Sequence, residues 1–292
     1  MPNPLVEIIT PVYNCEKYLA ATIQSIRIQD YPYIHHLVID DASTDGTDGV
    51  IDRYKPISYR HSVNLGEQVT VNEGLSQVTG KYFMIVNADD PLLPGAVSSL
   101  VGMMERCPSV LCAYPDWNSI NEDGSFKFHV ESREWDFQYM VRHHTCLPSV
   151  GSIFRADILK IIGGRDTSFK WLGDFDYWLR TGLAGPMLRV DETLATWRNR
   201  DGQASQVKSQ ARAAEHVRIM RKFFNNPGIT DELLEIKDEA ICWSYLVAAT
   251  VTDSKTEIAG YIKKAVGVYP KLLVDVGFYD ALARRANYVL RR

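Results

Sequence analysis

Tyr82-Phe83-Met84-Ile85-Val86-Asn87-Ala88-Asp89-Asp90 is the stretch that decides the fold. Its first five residues are apolar and β-prone, with no polar alternation. That is the pattern of a strand buried on both faces, as in a parallel sheet. Asp89 and Asp90 then lie at the carboxyl end of that strand, where open α/β sheets bind ligands. Two adjacent carboxylates there repel each other unless a positive charge stands between them and a substrate. A divalent cation on hard oxygens, itself holding a diphosphate, meets that need. The local alternative is that Asp89 caps a helix announced by Pro91 and Pro94.

Upstream, residues 6–10 predict a strand stopped by Pro11, and Asn14 is the expected N-cap of a helix carrying Leu19, Ile23 and Ile26 at helical spacing. Residues 36–39 predict a second strand running into Asp40-Asp41. A polar turn, Ser43-Thr44-Asp45-Gly46-Thr47, opens a helix through Val50, Ile51 and Tyr54. Residues 57–60 predict a third strand, and a helix follows over about 67–78. This alternation calls for a parallel sheet with right-handed crossovers. It should gather Thr10, Asp41 and Asp90 on one edge.

Downstream of a helix near 96–105, strands at 110–120 and 125–130 flank Asn121-Glu122-Asp123-Gly124, an Asp-Gly hairpin signal. Further expectations are a strand at 151–155, helices at 156–162 and 175–183, and a strand at 187–190. From about Ser205 strands give way to helices at 206–224, 231–251, 256–268 and 273–290. The expected fold class is α/β: a mostly parallel, Rossmann-like sheet flanked by helices, with a helical C-terminal extension. The expected division is residues 1–204, with halves 1–105 and 106–204, followed by 205–292.

The chain has 292 residues, 46% hydrophobic and 23% charged, with net charge −4. No global basic field recruits nucleic acid. Five cysteines, none in a CxxC pair, read as reduced, mostly buried thiols of a cytosolic protein. No apolar stretch approaches the roughly 20 residues of a membrane span, and the N-terminus does not resemble a signal peptide.

Three motifs in order carry a resemblance: Ile8-Ile9-Thr10-Pro11-Val12-Tyr13-Asn14, then Val38-Ile39-Asp40-Asp41-Ala42-Ser43-Thr44-Asp45, then Gly80-Lys81-Tyr82 before Asn87-Ala88-Asp89-Asp90. Together they resemble the nucleotide-sugar half of family 2 inverting glycosyltransferases, whose fold is called GT-A. Gly173-Asp174-Phe175-Asp176-Tyr177-Trp178-Leu179-Arg180 is similar to that family's acidic acceptor-side motif. The resemblance covers about residues 5–200.

The resemblance implies a role for each matching position. Thr10, Pro11 and Tyr13 would line the base pocket, and Asp41 would accept a hydrogen bond from the imide N–H of a uracil or thymine. Asp89 would face the ribose or the metal shell, and Asp90 would bind the divalent cation, Mn2+ or Mg2+. Asp174 would be the catalytic base. Local readings stand beside these: turn and N-cap chemistry for Asp41 and Asp45, strand termination for Thr10-Pro11, and helix capping for Asp174. The implied partners are a nucleoside-diphosphate sugar donor (UDP or dTDP favoured) and a glycan, lipid-linked or other hydroxyl acceptor. The setting would be bacterial surface polysaccharide or glycan synthesis.

Three departures from the family pattern matter. Many relatives carry Ala-Arg-Asn in the helix that here reads Val71-Asn72-Glu73-Gly74, so the arginine is a valine. Where relatives often place a histidine, this chain has Arg200. An arginine cannot ligate a metal but can pair with phosphate, so Arg198 or Arg200 would supply positive charge to the donor. The usual acidic pair is Gly173-Asp174, with one carboxylate surviving. Trp171 and Asp176 are further acceptor-side candidates, Trp171 because aromatic faces suit sugar C–H surfaces. His143-His144 lacks ligand partners at metal spacing. The C-terminal residues 283–292 are expected as a solvated helix, or as a basic interfacial helix making weak contact with the inner face of a membrane. Homo-oligomerisation is compatible with the sequence.

Competing classes are a non-catalytic sugar-nucleotide-binding or assembly subunit on the same scaffold, a dinucleotide-dependent oxidoreductase and a nucleotidyltransferase. The oxidoreductase is disfavoured because no GxGxxG turn follows the first strand. The nucleotidyltransferase would want a Gly-rich basic loop there, which is absent.

Overall fold

A computed structural model describes residues 3–274. At its centre β1 (Val6–Val12) pairs in parallel with β2 (Ile34–Asp40) on one side and β4 (Tyr82–Ile85) on the other. β3 (Ile57–Arg60) extends the parallel set beyond β2. On the far side of β4, β7 (Ile153–Arg155) runs antiparallel and leads to β5 (Cys112–Ile120) and its hairpin partner β6 (Phe126–Val130). The order is β3-β2-β1-β4-β7-β5-β6, and β8 (Met187–Arg198) pairs in parallel with β5.

The apolar run at 82–86 is buried as its composition demands: Tyr82, Phe83 and Met84 have no exposed surface. Tyr82 and Met84 join Val6 and Ile8 in a core with Val97, Leu100, Val101 and Met104 of α4 (Ala96–Arg106). On α3 (Glu67–Ser76), Gly74 meets β1 directly; a Cβ there would stand 2.5 Å from the Ile9 side chain. Glycine is therefore what lets this helix lie close on the strand.

Three local outcomes differ from the sequence expectations. β1 continues through Pro11, which pairs in register with Ile39. Its missing N–H falls on the β4 side, where Val86 N–H donating to Ile9 O (2.9 Å) ends the ladder, while Asp41 N–H still donates to Val12 O (2.8 Å) on the β2 side. Asn14 is not a helix cap. It sits at φ 51° and its Oδ1 accepts from Thr44 N–H (2.8 Å), tying the loop after β1 to the loop after β2; α1 (Leu19–Arg27) starts later. β8 is far longer than expected and runs to Arg198, opposite Ile120, through register shifts around Asp116.

The helices α2 (Thr47–Tyr54), α6 (Ile158–Ile162) and α7 (Gly173–Ala184) fall where the pattern placed them, and α5 (Phe137–Arg142) was not expected. The chain forms two compact units. Among the described residues, one contains 3–135 and Leu147–Arg200; the other contains Asp136–Cys146 and 201–274. In the second, α8 (Gln210–Phe224), α10 (Lys237–Thr250) and α11 (Lys255–Val268) share a core that includes Val217, Trp243, Tyr245 and Ala265, and the short α9 (Asp231–Glu235) lies between α8 and α10 in sequence. The helix expected at 273–290 and the basic segment 283–292 lie outside the described residues, apart from Leu273, which ends a 3-10 turn, and Val274, in the turn after it. All five cysteines are free thiols; Cys15, Cys112 and Cys242 are buried, Cys107 is half-buried and Cys146 is exposed. Among the described residues no helix is long and apolar enough to cross a membrane.

Candidate active site at the carboxyl edge of the sheet

Parallel pairing of β1, β2 and β4 brings their polar tails to one sheet edge. Asp89 and Asp90 follow β4 in a turn closed by Asp90 N–H donating to Asn87 O (3.2 Å). Asp90 is 3% exposed. Its Oδ1 accepts from Arg198 N–H (2.8 Å) and its Oδ2 from the Asn87 amide (3.0 Å). Burial, and then the neighbouring Asp89 charge, push the Asp90 pKa well above the usual carboxylate range. A carboxyl in that state gains by receiving a cation.

The end of β8 supplies two arginines with different tasks. The Arg198 guanidinium is buried and donates to the main-chain carbonyls of Asp89 (3.0 Å), Asn121 (3.3 Å) and Glu122 (2.9 Å). It thereby braces the acidic turn against the β5–β6 turn. Arg200 Nε instead meets the Asp89 carboxylate at 2.6 Å. Both guanidinium groups lie over the Tyr18 ring, 5.2 and 5.3 Å from its centroid, and Tyr18 donates its hydroxyl to Glu122 (2.7 Å).

At the end of β2, Asp41 is 3% exposed. Its Oδ1 accepts from Leu65 N–H (2.8 Å) and meets His61 Nδ1 (2.7 Å); its Oδ2 accepts from Gly66 N–H (2.8 Å). A carboxylate has about four lone-pair sites, so one on Oδ2 remains for a further donor. Thr10 is fully buried, and its Oγ1 partners His36 Nε2 at 2.9 Å. Burial lowers the His36 pKa to about 4, so that ring is neutral. Pro11 is half-buried and Tyr13 is 47% exposed, leaving an aromatic face uncovered at the same edge.

Asp174 lies in the first turn of α7, exposed, with Oδ1 accepting from Phe175 N–H (2.7 Å). Its charge and that of Asp89 both act on Glu67 at the start of α3: desolvation raises the Glu67 pKa, and both carboxylates add to it against Arg165. Asp174 and the acidic turn therefore share one electrostatic neighbourhood. Asp176, expected on the acceptor side, is instead buried and paired with Arg180 Nε at 2.7 Å. Arg180 also holds the carbonyls of Ile162 (2.6 Å) and Gly164 (2.8 Å), so Asp176 anchors α7 to the end of α6. Trp171 is half-buried just before α7, with Lys170 Nζ 5.2 Å from its ring centroid.

Val71 is fully buried, so α3 carries no cation at that position. Sequence reasoning missed His61, Glu73, Glu67 and Arg165. Arg165 bonds Glu67 (3.0 Å) and Gln68 (3.2 Å), and Gln68 fills the space a side chain at Gly173 would take.

Divalent-cation chemistry fits the acidic turn by its donors: two hard carboxylates, one with a raised pKa. Among the described residues no group of three or more His, Cys, Asp or Glu could hold a metal ion. A cation here would complete its shell with phosphate oxygens and water, the usual arrangement for Mg2+ at phosphate sites.

Residues 7–159, more than half the chain, match the family described as glycosyl transferase family 2. The chain is 32% identical over 129 residues to TuaG of Bacillus subtilis (strain 168), a glycosyltransferase named for teichuronic acid biosynthesis. That match covers 42% of this chain and half of TuaG. An uncharacterized glycosyltransferase of Rickettsia typhi is 23% identical over 274 residues, 87% of this chain and 86% of that protein. Among solved structures, S. aureus TarS 1–349 in complex with UDP-GlcNAc superposes with TM-score 0.71 at 18% identity, covering 91% of this chain and 81% of that one. The Pyrobaculum calidifontis mannosyltransferase PcManGT, in complex with GDP-Man and Mn2+, gives TM-score 0.64 at 17% identity, covering 98% and 81%. The fold is that of the GT-A glycosyltransferases, and the chain belongs to glycosyl transferase family 2.

Proposed function

We propose that the protein is an inverting, hexosyltransferase-like glycosyltransferase. It would move a sugar from a UDP- or dTDP-sugar to an acceptor hydroxyl in the synthesis of a bacterial surface polysaccharide or glycan. The observation that carries this reading is the carboxyl edge of the parallel sheet, where Asp41 follows β2 and Asp89 and Asp90 follow β4, with Arg200 paired to Asp89. TuaG's name supports the polysaccharide setting, and the nucleotide-sugar complexes of TarS and PcManGT support the donor class.

In this mechanism Tyr13 and Pro11 flank the base, and the remaining Asp41 lone pair accepts its imide N–H. Thr10 shapes the pocket through the strand end it buries. Arg200 sets a positive charge beside the donor phosphates, and Arg198 keeps the acidic turn in place. Asp90, with Asp89, would hold Mn2+ or Mg2+, which when bound neutralises charge growing on the departing diphosphate. Asp174 takes the proton of the acceptor hydroxyl as its oxygen attacks the anomeric carbon opposite the leaving group. One base suffices, and a single displacement inverts the centre.

The test is calorimetric titration with UDP, dTDP, GDP and ADP, with and without Mn2+, followed by diphosphate release from a panel of sugar nucleotides. Uracil or thymine preference with metal-enhanced binding and turnover supports the reading. Tight binding with no turnover for any donor and acceptor would favour a non-catalytic binding subunit. Val71 and Gly173, which lack the family's arginine and second carboxylate, are the observations on that side.

A further inference from the structure

His61 lies at the end of β3 with only 2% of its side chain exposed. Its Nδ1 is 2.7 Å from Asp41 Oδ1 and its Nε2 is 2.6 Å from Glu73 Oε2. A neutral imidazole has one N–H, so it can donate to only one of two carboxylates and must turn a lone pair on the other. Both contacts are satisfied together only by the doubly protonated ring. The loop that follows hangs on the same residue: Leu65 and Gly66 donate their N–H groups to the Asp41 carboxylate, and the Asn64 amide donates to the Asp41 main-chain carbonyl (3.2 Å). Gly66 turns this loop at φ 89° into α3, which carries Glu73. Val63 and Leu65 leave apolar surface exposed (59% and 45%) on that loop.

We propose that His61, as an imidazolium bridging Asp41 and Glu73, is a positioning residue for the nucleotide base. It aims the free lone pair of Asp41 and fixes the 61–66 loop as a wall of the base pocket. The proposal rests on the assignment of Asp41 to the base.

The titratable groups facing the ring are Asp41 from β2, Glu73 from α3 and, edge-on at 5.5 Å, Tyr59 from β3. The adjacent Arg60 turns away to Asp40 and Asp48. Burial opposes the charge on His61, and the two carboxylates more than offset it, so its pKa is raised. The bridge is intact below that raised value and is lost as pH rises through it.

The experiment uses the full chain with UDP and ADP in Mg2+ across pH 6–9, alongside 15N spectra of the imidazole rings, with His61 assigned from the His61→Gln spectrum. The wild type should show an imidazolium at neutral pH and a UDP-over-ADP preference that declines as that ring deprotonates. Glu73→Gln, at a half-exposed site, should keep the preference at low pH and move both the ring titration and the decline to lower pH. His61→Gln should show a preference independent of this titration, roughly tenfold below that of the wild type at low pH. A neutral His61 ring at pH 7, or a preference and pH profile unchanged in both variants, would overturn the proposal while leaving the functional reading intact. If the wild type binds neither nucleotide, the functional reading fails and the base-positioning role with it, even if the imidazolium is present.

Discussion

Arg200 Nε and Asp89 Oδ2 stand 2.6 Å apart, so the first carboxylate of the acidic pair is compensated by an arginine two residues beyond β8. Among the described residues Asp90 has no such ion pair: it accepts one main-chain N–H and one amide. The two neighbours therefore differ in availability. Asp90, whose ionised form is disfavoured by burial, is the carboxyl that would gain most from a cation, and Asp89 is already paired with Arg200. An arginine suits this position because its charge is fixed and its planar donors can serve a carboxylate and a phosphate together.

Arg200→Ala should weaken nucleoside diphosphate binding about tenfold or more, because it removes a cation and leaves Asp89 uncompensated. Arg200→Lys should recover part of that loss. Arg198→Ala should act differently, lowering the melting temperature, since its guanidinium is spent on the carbonyls of Asp89, Asn121 and Glu122. Calorimetry and thermal melts separate the two. Unchanged nucleotide affinity in Arg200→Ala would remove it from the donor site.

Asp90→Asn should abolish transfer yet stabilise the metal-free fold. The Asp90 pKa is raised in the folded state by burial and by Asp89. For a raised carboxyl the sign is clear: folding is favoured below the unfolded value, about 3.9, and that stability is lost as pH rises through the folded value. At pH 7 the variant escapes this penalty, and each 1 kcal/mol recovered is worth about 2–4 °C in Tm. The advantage should shrink at pH 4 and when Mn2+ is added to the wild type. A melting temperature below wild type at pH 7 would count against the strain assigned to Asp90.

The nucleotide half of the fold was legible because its strands are read locally. Tyr82-Phe83-Met84 is apolar on both faces and buried on both, and each polar tail follows its strand directly. β8 was not legible past Val190, because Asp191, Glu192 and Thr193 break the apolar pattern. Its continuation is enforced by pairing with β5 through a shifted register, where the buried Arg189–Asp116 ion pair (2.7 Å) also sits. That pairing, distant in sequence, is what carries Arg198 and Arg200 to the acidic turn. His61 gave no signal, since a lone histidine has no motif and its two carboxylates come from other elements. The Asp176–Arg180 pair was visible as an i, i+4 spacing, yet the acidic motif drew it toward chemistry.

UDP should bind more tightly than ADP by about 1–3 kcal/mol, the cost of leaving a buried acceptor without its donor. On the proposed assignment the acceptor is the remaining Asp41 lone pair, Asp41 being held by Leu65, Gly66 and His61. Competition binding with the two nucleotides checks this, and equal affinities would remove Asp41 from base recognition.

Asp174→Asn and Asp176→Asn should fail in opposite ways, although the residues are two apart on one helix. Asp174 is exposed at the start of α7 and accepts from its neighbour's N–H, so the asparagine keeps that bond and loses basicity. Nucleotide binding and Tm should stay near wild type while transfer slows roughly 10²–10⁴-fold, the usual contribution of a positioned base. Asp176 is buried against Arg180, which also ties α7 to Ile162 and Gly164. Removing its charge leaves an uncompensated guanidinium and should cost roughly 3 kcal/mol of stability, with turnover per folded molecule largely kept. Tm and transfer rate measured on both variants decide the matter. Normal transfer in Asp174→Asn alongside a well-folded, inactive Asp176→Asn would reverse the assignment of the base.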